Sequence, residues 1–121
     1  MSSLTLRLDY PPSVNHYWRT FRGRMIISRE GRTYRERVYY LVHVQHAALG
    51  LKARLRVTIH AHMPDRRRRD LDNLGKALMD SMKHAGVYED DSLIDDLRII
   101  RCKPDKGGYV EVQIETMEEK A

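Results

Sequence analysis

The sequence predicts a single small α+β domain over residues 1–121, with two main helices packed on a mixed or antiparallel β-sheet. Three segments alternate apolar and polar residues, as strands with one wet face do. Two other segments repeat apolar residues every three or four positions, as helices lying on a core do. A chain of 121 residues is long enough to bury one core and too short for two.

The N-terminal third begins with a strand, because residues 4–9 alternate leucine with polar side chains. Pro11 and Pro12 end this strand, since proline cannot donate to a sheet ladder. Residues 13–19 form an aromatic and polar segment that is expected to be a loop, and residues 24–28 are expected to form a short strand.

The first main helix is expected to begin at Ser28 or at the Thr33-x-x-Glu36 capping box. It runs to about Leu49, where Gly50 is a suitable C-terminal stop. Its buried stripe recurs at helical spacing through Tyr34, Val38, Leu41, Gln45 and Ala48.

Residues 54–63 form the clearest strand, with five apolar residues on one face and arginine, threonine and histidine on the other. His60 and His62 share the polar face at a spacing that suits a metal. No third ligand is evident, so this pair is expected to face solvent or DNA. Pro64 closes the strand.

The second main helix is expected from Asp70 to just before Gly86, with a stripe of Leu71, Leu74, Leu78, Met82 and Ala85. Gly75 inside this helix costs about 1 kcal/mol relative to alanine, which indicates a close approach by another segment. Residues 97–103 and 109–117 are expected to be strands joined by a glycine-containing tight turn. Apolar and polar residues alternate along the last of these strands, as expected for an outer strand of a sheet that has one face in solvent.

Charge is segregated along the chain, although the formal net charge is only +5. Residues 19–37 carry seven arginines against two glutamates, and residues 80–96 carry six acids against one lysine. Such a field suits the steering of a polyanion onto an acidic, cation-loaded site, although solvated faces of ordinary elements would give the same pattern. Cys102 is the only cysteine, which excludes an intrachain disulfide and a thiolate zinc site. With no apolar run of membrane-spanning length, a reduced, cytoplasmic protein is expected.

The stretch from Asp65 to Lys76 concentrates the candidate chemistry, because four consecutive arginines run into Asp70, Asp72 and Asn73. Arginine binds phosphate, whereas two close carboxylates repel it unless a cation compensates. Oxygen ligands without a thiolate favour Mg²⁺ or Mn²⁺. The pattern predicts a phosphodiester brought to a metal ion.

Further acids are expected from Glu89-Asp90-Asp91, since the chain is expected to return near the point where the second helix begins. A cation held by Asp70, Asp72 and Asp91 would polarise a phosphodiester and activate water. Lys76 would stabilise developing charge or position that water. Its alternative role is an i,i+4 partner of Asp72 and Asp80, worth a few tenths of a kcal/mol.

The residues of this stretch also bear on other interpretations. A calcium loop of EF-hand type fails, because its fifth and twelfth positions would be Leu74 and Ser81. Asp70 also suits a helix N-cap, and the arginine run alone is typical of an import or general nucleic-acid patch. A non-catalytic DNA-binding protein and a hydrolase of small phosphorylated substrates remain the competing functions, although the sequence has no phosphate-cradling glycine loop.

Five motifs are spread over nearly the whole chain: Pro11-Pro12-Ser13-x-Asn15-x-x-x-Arg19, His62-Met63-Pro64-Asp65, Asp70-x-Asp72-Asn73-Leu74-x-Lys76, Asp90-Asp91 and Lys106-Gly107-Gly108. With them the sequence resembles the RusA family of Holliday-junction resolvases, small endonucleases of bacteria and their prophages. The third and fourth motifs together are specific, and the others are supportive.

The resemblance implies a homodimer that binds four-way DNA junctions and makes paired nicks in opposing strands with Mg²⁺ or Mn²⁺. It assigns the essential carboxylates to Asp70, Asp72 and Asp91 and the catalytic-site lysine to Lys76. The expected DNA contacts are Arg66, Arg67, Arg68, Arg69, Asn73, Asn15 and Arg19. Independently of the resemblance, one carboxylate cluster per chain and a two-fold symmetric junction favour a C2 dimer.

Overall fold

A four-stranded mixed sheet organises the computed structural model, which describes residues 3–117. Its strands are β1 (Ser3–Asp9), β4 (Leu55–His62), β5 (Ile94–Arg101) and β6 (Tyr109–Thr116), in the order β1-β6-β4-β5. β5 runs parallel to β4, and the other neighbouring strands are antiparallel. A separate hairpin consists of β2 (Trp18–Phe21) and β3 (Arg24–Ile27). The helices are α1 (Val14–Tyr17), α2 (Arg29–Val44) and α3 (Asp72–His84), followed by a 3-10 turn (Asp91–Leu93).

This architecture confirms the expected α+β class with a mixed sheet and two main helices, α2 and α3. No helix within the described range has the length and apolar character needed to cross a membrane. The expected domain of residues 1–121 also includes residues 1–2 and 118–121, which lie outside the described residues.

One face of the sheet carries the core. Leu6, Val112 and Ile59 lie side by side across three strands and are almost completely buried. The helices cover this face: a Cβ on Gly75 of α3 would lie 3.1 Å from the Cδ1 of Ile99 in β5. The close approach expected at Gly75 is therefore confirmed, and it lets α3 lie directly on β5.

The opposite face of the sheet is polar, and its side chains pair with one another. Arg56 contacts Asp96 at 2.8 Å across the parallel strands, and the ring of His62 stacks on that of Tyr109 with centroids 4.3 Å apart. His62 Nδ1 also hydrogen-bonds the carbonyl oxygen of Lys103 at 2.8 Å. His60 and His62 therefore lie on the polar face, as their alternation predicted, but both are partly buried there.

Helix α2 begins where the first of the two expected starts placed it. Ser28 is the N-cap, and its hydroxyl accepts a hydrogen bond from the backbone N–H of Gly31 at 2.9 Å. The expected end at Leu49 is wrong, because the helix ends at Val44 and His46 takes a left-handed φ of 56°. Histidine tolerates this conformation better than branched residues do, so glycine was not needed for the stop.

Helix α3 confirms the expected leucine stripe, with Leu74, Leu78 and Met82 buried. Its first residue is Asp72 and not Asp70. Leu71 holds the N-cap position in a helical conformation without a side-chain cap, so the N-cap role considered for Asp70 is wrong.

The C-terminal strands correct two expectations. β5 begins at Ile94, three residues before its expected start, and β6 lies between β1 and β4 instead of at the edge. Alternation of apolar and polar residues reports which face is buried, but it does not report how many neighbours a strand has. The turn at Gly107 and Gly108 is present, with φ values of 86° and 69°, yet the strands that it joins are not paired with each other.

Candidate active site

The arginine run forms a tight turn immediately after β4. Asp65 organises it, since its carboxylate accepts a hydrogen bond from the backbone N–H of Arg67 at 2.9 Å and pairs with the guanidinium of Arg69. These bonds, chiefly the one from Arg69, lower the pKa of Asp65 to about 2. Arg101 of β5 donates to the carbonyl oxygen of Arg69 at 2.5 Å. The turn is therefore fastened to the end of the sheet.

The same turn leaves cationic side chains free for a ligand. Arg66, Arg67 and Arg68 are exposed, and Arg66 and Arg68 form no ion pair with any residue between 3 and 117. A positively charged surface without internal partners is suited to phosphate oxygens.

A cleft of about 700 Å³ lies between this turn and the segment that follows β1. It brings together four of the residues predicted from the sequence, Arg68, Arg69, Asp70 and Asn73. The other lining residues are Tyr10, Pro11, Pro12, Ser13, His16, Pro64 and Leu74. The cleft is thus lined by both cationic and carboxylate groups.

Two further residues line the cleft: His16, which the sequence did not single out, and Ser13, which belongs to the first of the five motifs but was given no role in a site. The Ser13 hydroxyl lies 3.1 Å from Nδ1 of His16, on the one-turn helix α1. Residues 13–19 were expected to be a loop, but α1 and the start of β2 occupy this segment, and Tyr17 is completely buried. The turn-forming Pro11-Pro12-Ser13 sequence was the available indication that the segment folds back.

Asp70 and Asp72 flank the beginning of α3, and both are exposed. Among the described residues neither carboxylate has a hydrogen bond or an ion pair. Arginine or lysine partners hold six other aspartates, Asp9, Asp65, Asp80, Asp90, Asp95 and Asp96. Asp91 and Asp105 resemble Asp70 and Asp72, since they too have no ion pair with the described residues. A carboxylate in the first turn also interacts favourably with the positive end of the helix dipole.

Lys76 lies one turn after Asp72 and is exposed. It forms no ion pair within residues 3–117, so the i,i+4 pairs considered for it are not made. Asp80 is instead held by Arg35 at 2.6 Å and by the Tyr17 hydroxyl at 2.5 Å, which gives Asp80 a structural role.

Asp91 lies at the other end of α3. It begins the 3-10 turn before β5 and lies near Lys83 and Tyr88. The thirteen residues of α3 span about 20 Å at 1.5 Å per residue. The expectation that the chain brings Asp91 back to the beginning of this helix is therefore wrong.

The parallel pairing of β4 and β5 explains this error. Leu55, the first residue of β4, lies opposite Ile94, the first residue of β5. A crossover between parallel strands returns the chain to the end of the sheet where the first strand began. Asp70 follows the end of β4, whereas Asp91 precedes β5 and lies at the opposite end. Within residues 3–117, no group of three or more histidine, cysteine, aspartate or glutamate side chains could hold a metal ion.

Asp90, considered as a possible additional ligand, is already bonded. Its carboxylate lies 2.8 Å from Nζ of Lys83 and also accepts hydrogen bonds from Ser92. These groups, with Lys83 first, lower the pKa of Asp90 to about 2.

The remaining predicted DNA contacts lie beside the cleft. Asn15 is exposed on α1, and Arg19 is exposed on β2 with its guanidinium 5.6 Å from the ring centre of Phe21.

Comparison with known proteins identifies the family of this chain. Residues 9–115 match the family model described as endodeoxyribonuclease RusA. The chain is 42% identical over 117 residues to a crossover junction endodeoxyribonuclease of Shigella sonnei strain Ss046. The aligned residues cover 97% of this chain and 98% of the relative. The counterparts from Escherichia coli strain K12 and Enterobacteria phage 82 are 41% and 42% identical over the same shares. On this match of nearly its full length, the chain belongs to the endodeoxyribonuclease RusA family.

Proposed function

We propose that the protein is a metal-dependent endodeoxyribonuclease that resolves four-way DNA junctions by paired, symmetric nicks, in DNA recombination and repair. Its relatives are named crossover junction endodeoxyribonucleases. The observation that carries the proposal is the pair of unpartnered carboxylates, Asp70 and Asp72, beside the exposed arginine turn. Carboxylates repel phosphate, so this combination suits a phosphodiester substrate when a cation lies between them.

The residues at the beginning of α3 fit a hard divalent cation. Mg²⁺ usually binds one or two carboxylates and completes its shell with water and substrate phosphate, which Asp70 and Asp72 would allow. Mn²⁺ accepts the same oxygen ligands and is expected to substitute. Such an ion would polarise the phosphodiester and lower the pKa of the attacking water.

The protein's own groups would bind and orient the DNA. Arg68 and Arg69 line the cleft and would bind phosphates of the DNA there, Arg69 while its guanidinium also pairs with Asp65. The ammonium group of Lys76, without a partner among residues 3–117, is available to stabilise charge that develops on the phosphate.

The separation of Asp91 from the beginning of α3 supports a site that is shared between two copies of the chain. In a C2 dimer whose α3 helices lie antiparallel across the axis, Asp91 of one copy would lie near Asp70 and Asp72 of the other. Each junction would then meet two identical sites, each built from both copies. This arrangement keeps all three acids as ligands and makes dimerisation a condition of activity.

Substitution of Asp72 by asparagine tests the proposal on a labelled synthetic four-way junction, with and without Mg²⁺. Cleavage is expected to be lost, while junction binding persists or tightens because one phosphate-repelling charge is removed. Asp105→Asn is the matched control, since Asp105 is exposed and lies in the turn before β6. Normal cleavage by Asp72→Asn would contradict the metal assignment. Cleavage by neither the variant nor the wild type, with binding intact, would favour a non-catalytic junction-binding protein.

The salt dependence of binding separates this proposal from hydrolysis of a small phosphorylated substrate. Affinity for a junction is expected to fall steeply between 50 and 200 mM salt, on the order of tenfold or more, because phosphate contacts release counterions. A salt-insensitive affinity would contradict a polyanionic partner.

A further inference from the structure

The hairpin of β2 and β3 stands apart from the main sheet. Its two strands pair only with each other within the described range, with Trp18 opposite Ile27 and Phe21 opposite Arg24. Arg22 and Gly23 form the connection, and both have positive φ values, 51° and 74°. Two-residue connections of this kind follow the natural twist of paired strands and make a tight hairpin. We call residues 18–27 the arm.

The two faces of the arm differ. Trp18 and Ile27 share one face and pack against the hydrophobic core at the base of the arm. Arg19, Phe21 and Arg24 share the other face, which is exposed. Strand alternation therefore fixes the arm at its base and leaves an aromatic ring between cationic side chains near its tip.

The exposed face is strongly basic. Residues 14–29 contain no acid, and Arg19, Arg22 and Arg24 form no ion pair with the described residues. The guanidinium groups of Arg19 and Arg22 lie 5.6 and 5.3 Å from the ring centre of Phe21. The phenylalanine remains 49% exposed. An exposed ring flanked by guanidinium groups offers a surface for base stacking together with groups that bind phosphate.

The position of the arm connects it to the candidate active site. The arm follows α1 directly, and His16 of α1 lines the same cleft as Asp70 and Asn73. Four residues per strand at about 3.3 Å each carry the tip roughly 13 Å from its base. A nucleic acid that lies in the cleft would thus pass the base of the arm.

We propose that Phe21 stacks on a base at the branch point of a DNA junction, while Arg19, Arg22 and Arg24 bind the phosphates around it. This inference rests on the proposed function and concerns what selects branched over linear DNA. Bases inside a duplex are already stacked on their neighbours, so an aromatic side chain gains most where pairing and stacking are interrupted. Arginine contacts to phosphate are present on any duplex and carry no such preference.

The test compares the affinity of Phe21→Ala for a fixed four-way junction and for a linear duplex of the same sequence, in chelator so that no cleavage occurs. Junction affinity is expected to fall about tenfold, as for the loss of one base-stacking contact, with duplex affinity unchanged. Phe21→Trp is expected to restore the junction affinity. Met25→Ala is the matched control, because Met25 is 66% exposed on the opposite face of the same arm.

A base-stacking probe gives an independent measurement. With 2-aminopurine at the branch point, the fluorescence change on adding wild-type protein is expected to be lost with Phe21→Ala and kept with Met25→Ala. Arg22→Ala with Arg24→Ala is expected to weaken binding to both DNAs and to reduce the slope of log affinity against log salt by about 2.

The outcomes separate the two proposals. If wild-type protein does not bind the junction, the proposed function fails and the arm inference fails with it. If the junction is bound and Phe21→Ala binds it equally well, only the arm inference is overturned. Equal losses of affinity for the junction and for the duplex would also overturn it, because Phe21 would then contribute to DNA binding without any preference for the branch point.

Discussion

Arg35 of α2 donates a hydrogen bond to the carboxylate of Asp80 on α3 at 2.6 Å. The Tyr17 hydroxyl of α1 donates to the same carboxylate oxygen at 2.5 Å, and both residues of the ion pair are more than two-thirds buried. Three helices therefore meet at one acid. Because α1 and α3 both contribute to the cleft, this contact holds the two sides of the candidate active site together.

Substitution of Asp80 by alanine is expected to lower the free energy of unfolding by about 2 kcal/mol, since charge-assisted hydrogen bonds to partly buried partners are lost. Urea unfolding measures this change. Asp105→Ala is the control, because that exposed acid has no side-chain partner within residues 3–117, and it should leave the midpoint unchanged. Equal stability of the two variants would show that the contact contributes nothing.

Mixed dimers test whether Asp91 acts in the partner's site. If each site takes Asp70 and Asp72 from one chain and Asp91 from the other, a dimer of one Asp72→Asn chain and one Asp91→Asn chain has two unlike sites. One site keeps all three acids, and the other lacks two of them. Such a dimer is expected to nick one strand of a plasmid-borne cruciform, although both homodimeric variants are inactive. Product analysis on an agarose gel distinguishes nicked from linear plasmid.

A mixed dimer that does not nick the plasmid would contradict the shared site. If Asp91 served its own chain, each site would carry one defect and no nicking would occur. The two variants are differently tagged and co-expressed, so that the mixed species is purified before assay.

Gly31 is expected to resist substitution. A Cβ at this position would lie 2.8 Å from Cγ1 of Ile27 and 3.2 Å from the carbonyl carbon of Tyr17, and it would contact the Tyr17 carbonyl oxygen even more closely. Gly31→Ala should therefore destabilise the protein by about 1–3 kcal/mol through overpacking, in spite of the better helix propensity of alanine. Thermal unfolding measures the loss. Arg32→Ala, next to it in α2, should cost less, since only an exposed hydrogen bond to the carbonyl oxygen of Ile27 is lost.

The Lys83–Asp90 contact makes part of the stability depend on pH. Lys83 and Ser92 lower the pKa of Asp90 to about 2, below its ordinary value of about 3.9. Because the folded-state pKa is the lower one, the stabilisation is present above about pH 4 and is lost as the pH falls towards 2. Lys83→Met is expected to raise the pKa of Asp90 towards its ordinary value, as measured by carbon NMR titration of the carboxyl group.

A control for this titration is Asp65. Its pKa is also lowered to about 2, chiefly by Arg69 at the other end of α3, and it should not change when Lys83 is replaced. A pKa of Asp90 that is the same in wild type and variant would contradict the assigned cause.

The local elements of this protein follow from short-range patterns in the sequence. Alternation along residues 54–63 predicted the buried face of β4, and the leucine stripe predicted the buried face of α3. These predictions succeeded because the side-chain period of a strand or helix is set by backbone geometry alone. The closely packed Gly75 was predicted for a similar reason, since glycine in a helix is costly without a compensating contact.

The residue types of the candidate site could also be predicted from the sequence. Asp70, Asn73 and the arginines lie close together in the sequence, so their common location at one turn needed no long-range information. The roles proposed for Asp72, Lys76 and Asp91 remain predictions, to be decided by the experiments above.

Relationships between distant segments depended on the tertiary structure. The alternation in β6 did not reveal that it lies between β1 and β4, and the chain order did not reveal that β5 is parallel to β4. That parallel pairing separates Asp91 from Asp72 by the length of a helix. The sequence by itself determined which faces are buried and which groups are chemically able to act, because those depend on neighbours within a few residues. Only the tertiary structure decided which of these groups meet, because strand pairing joins residues that the chain keeps far apart.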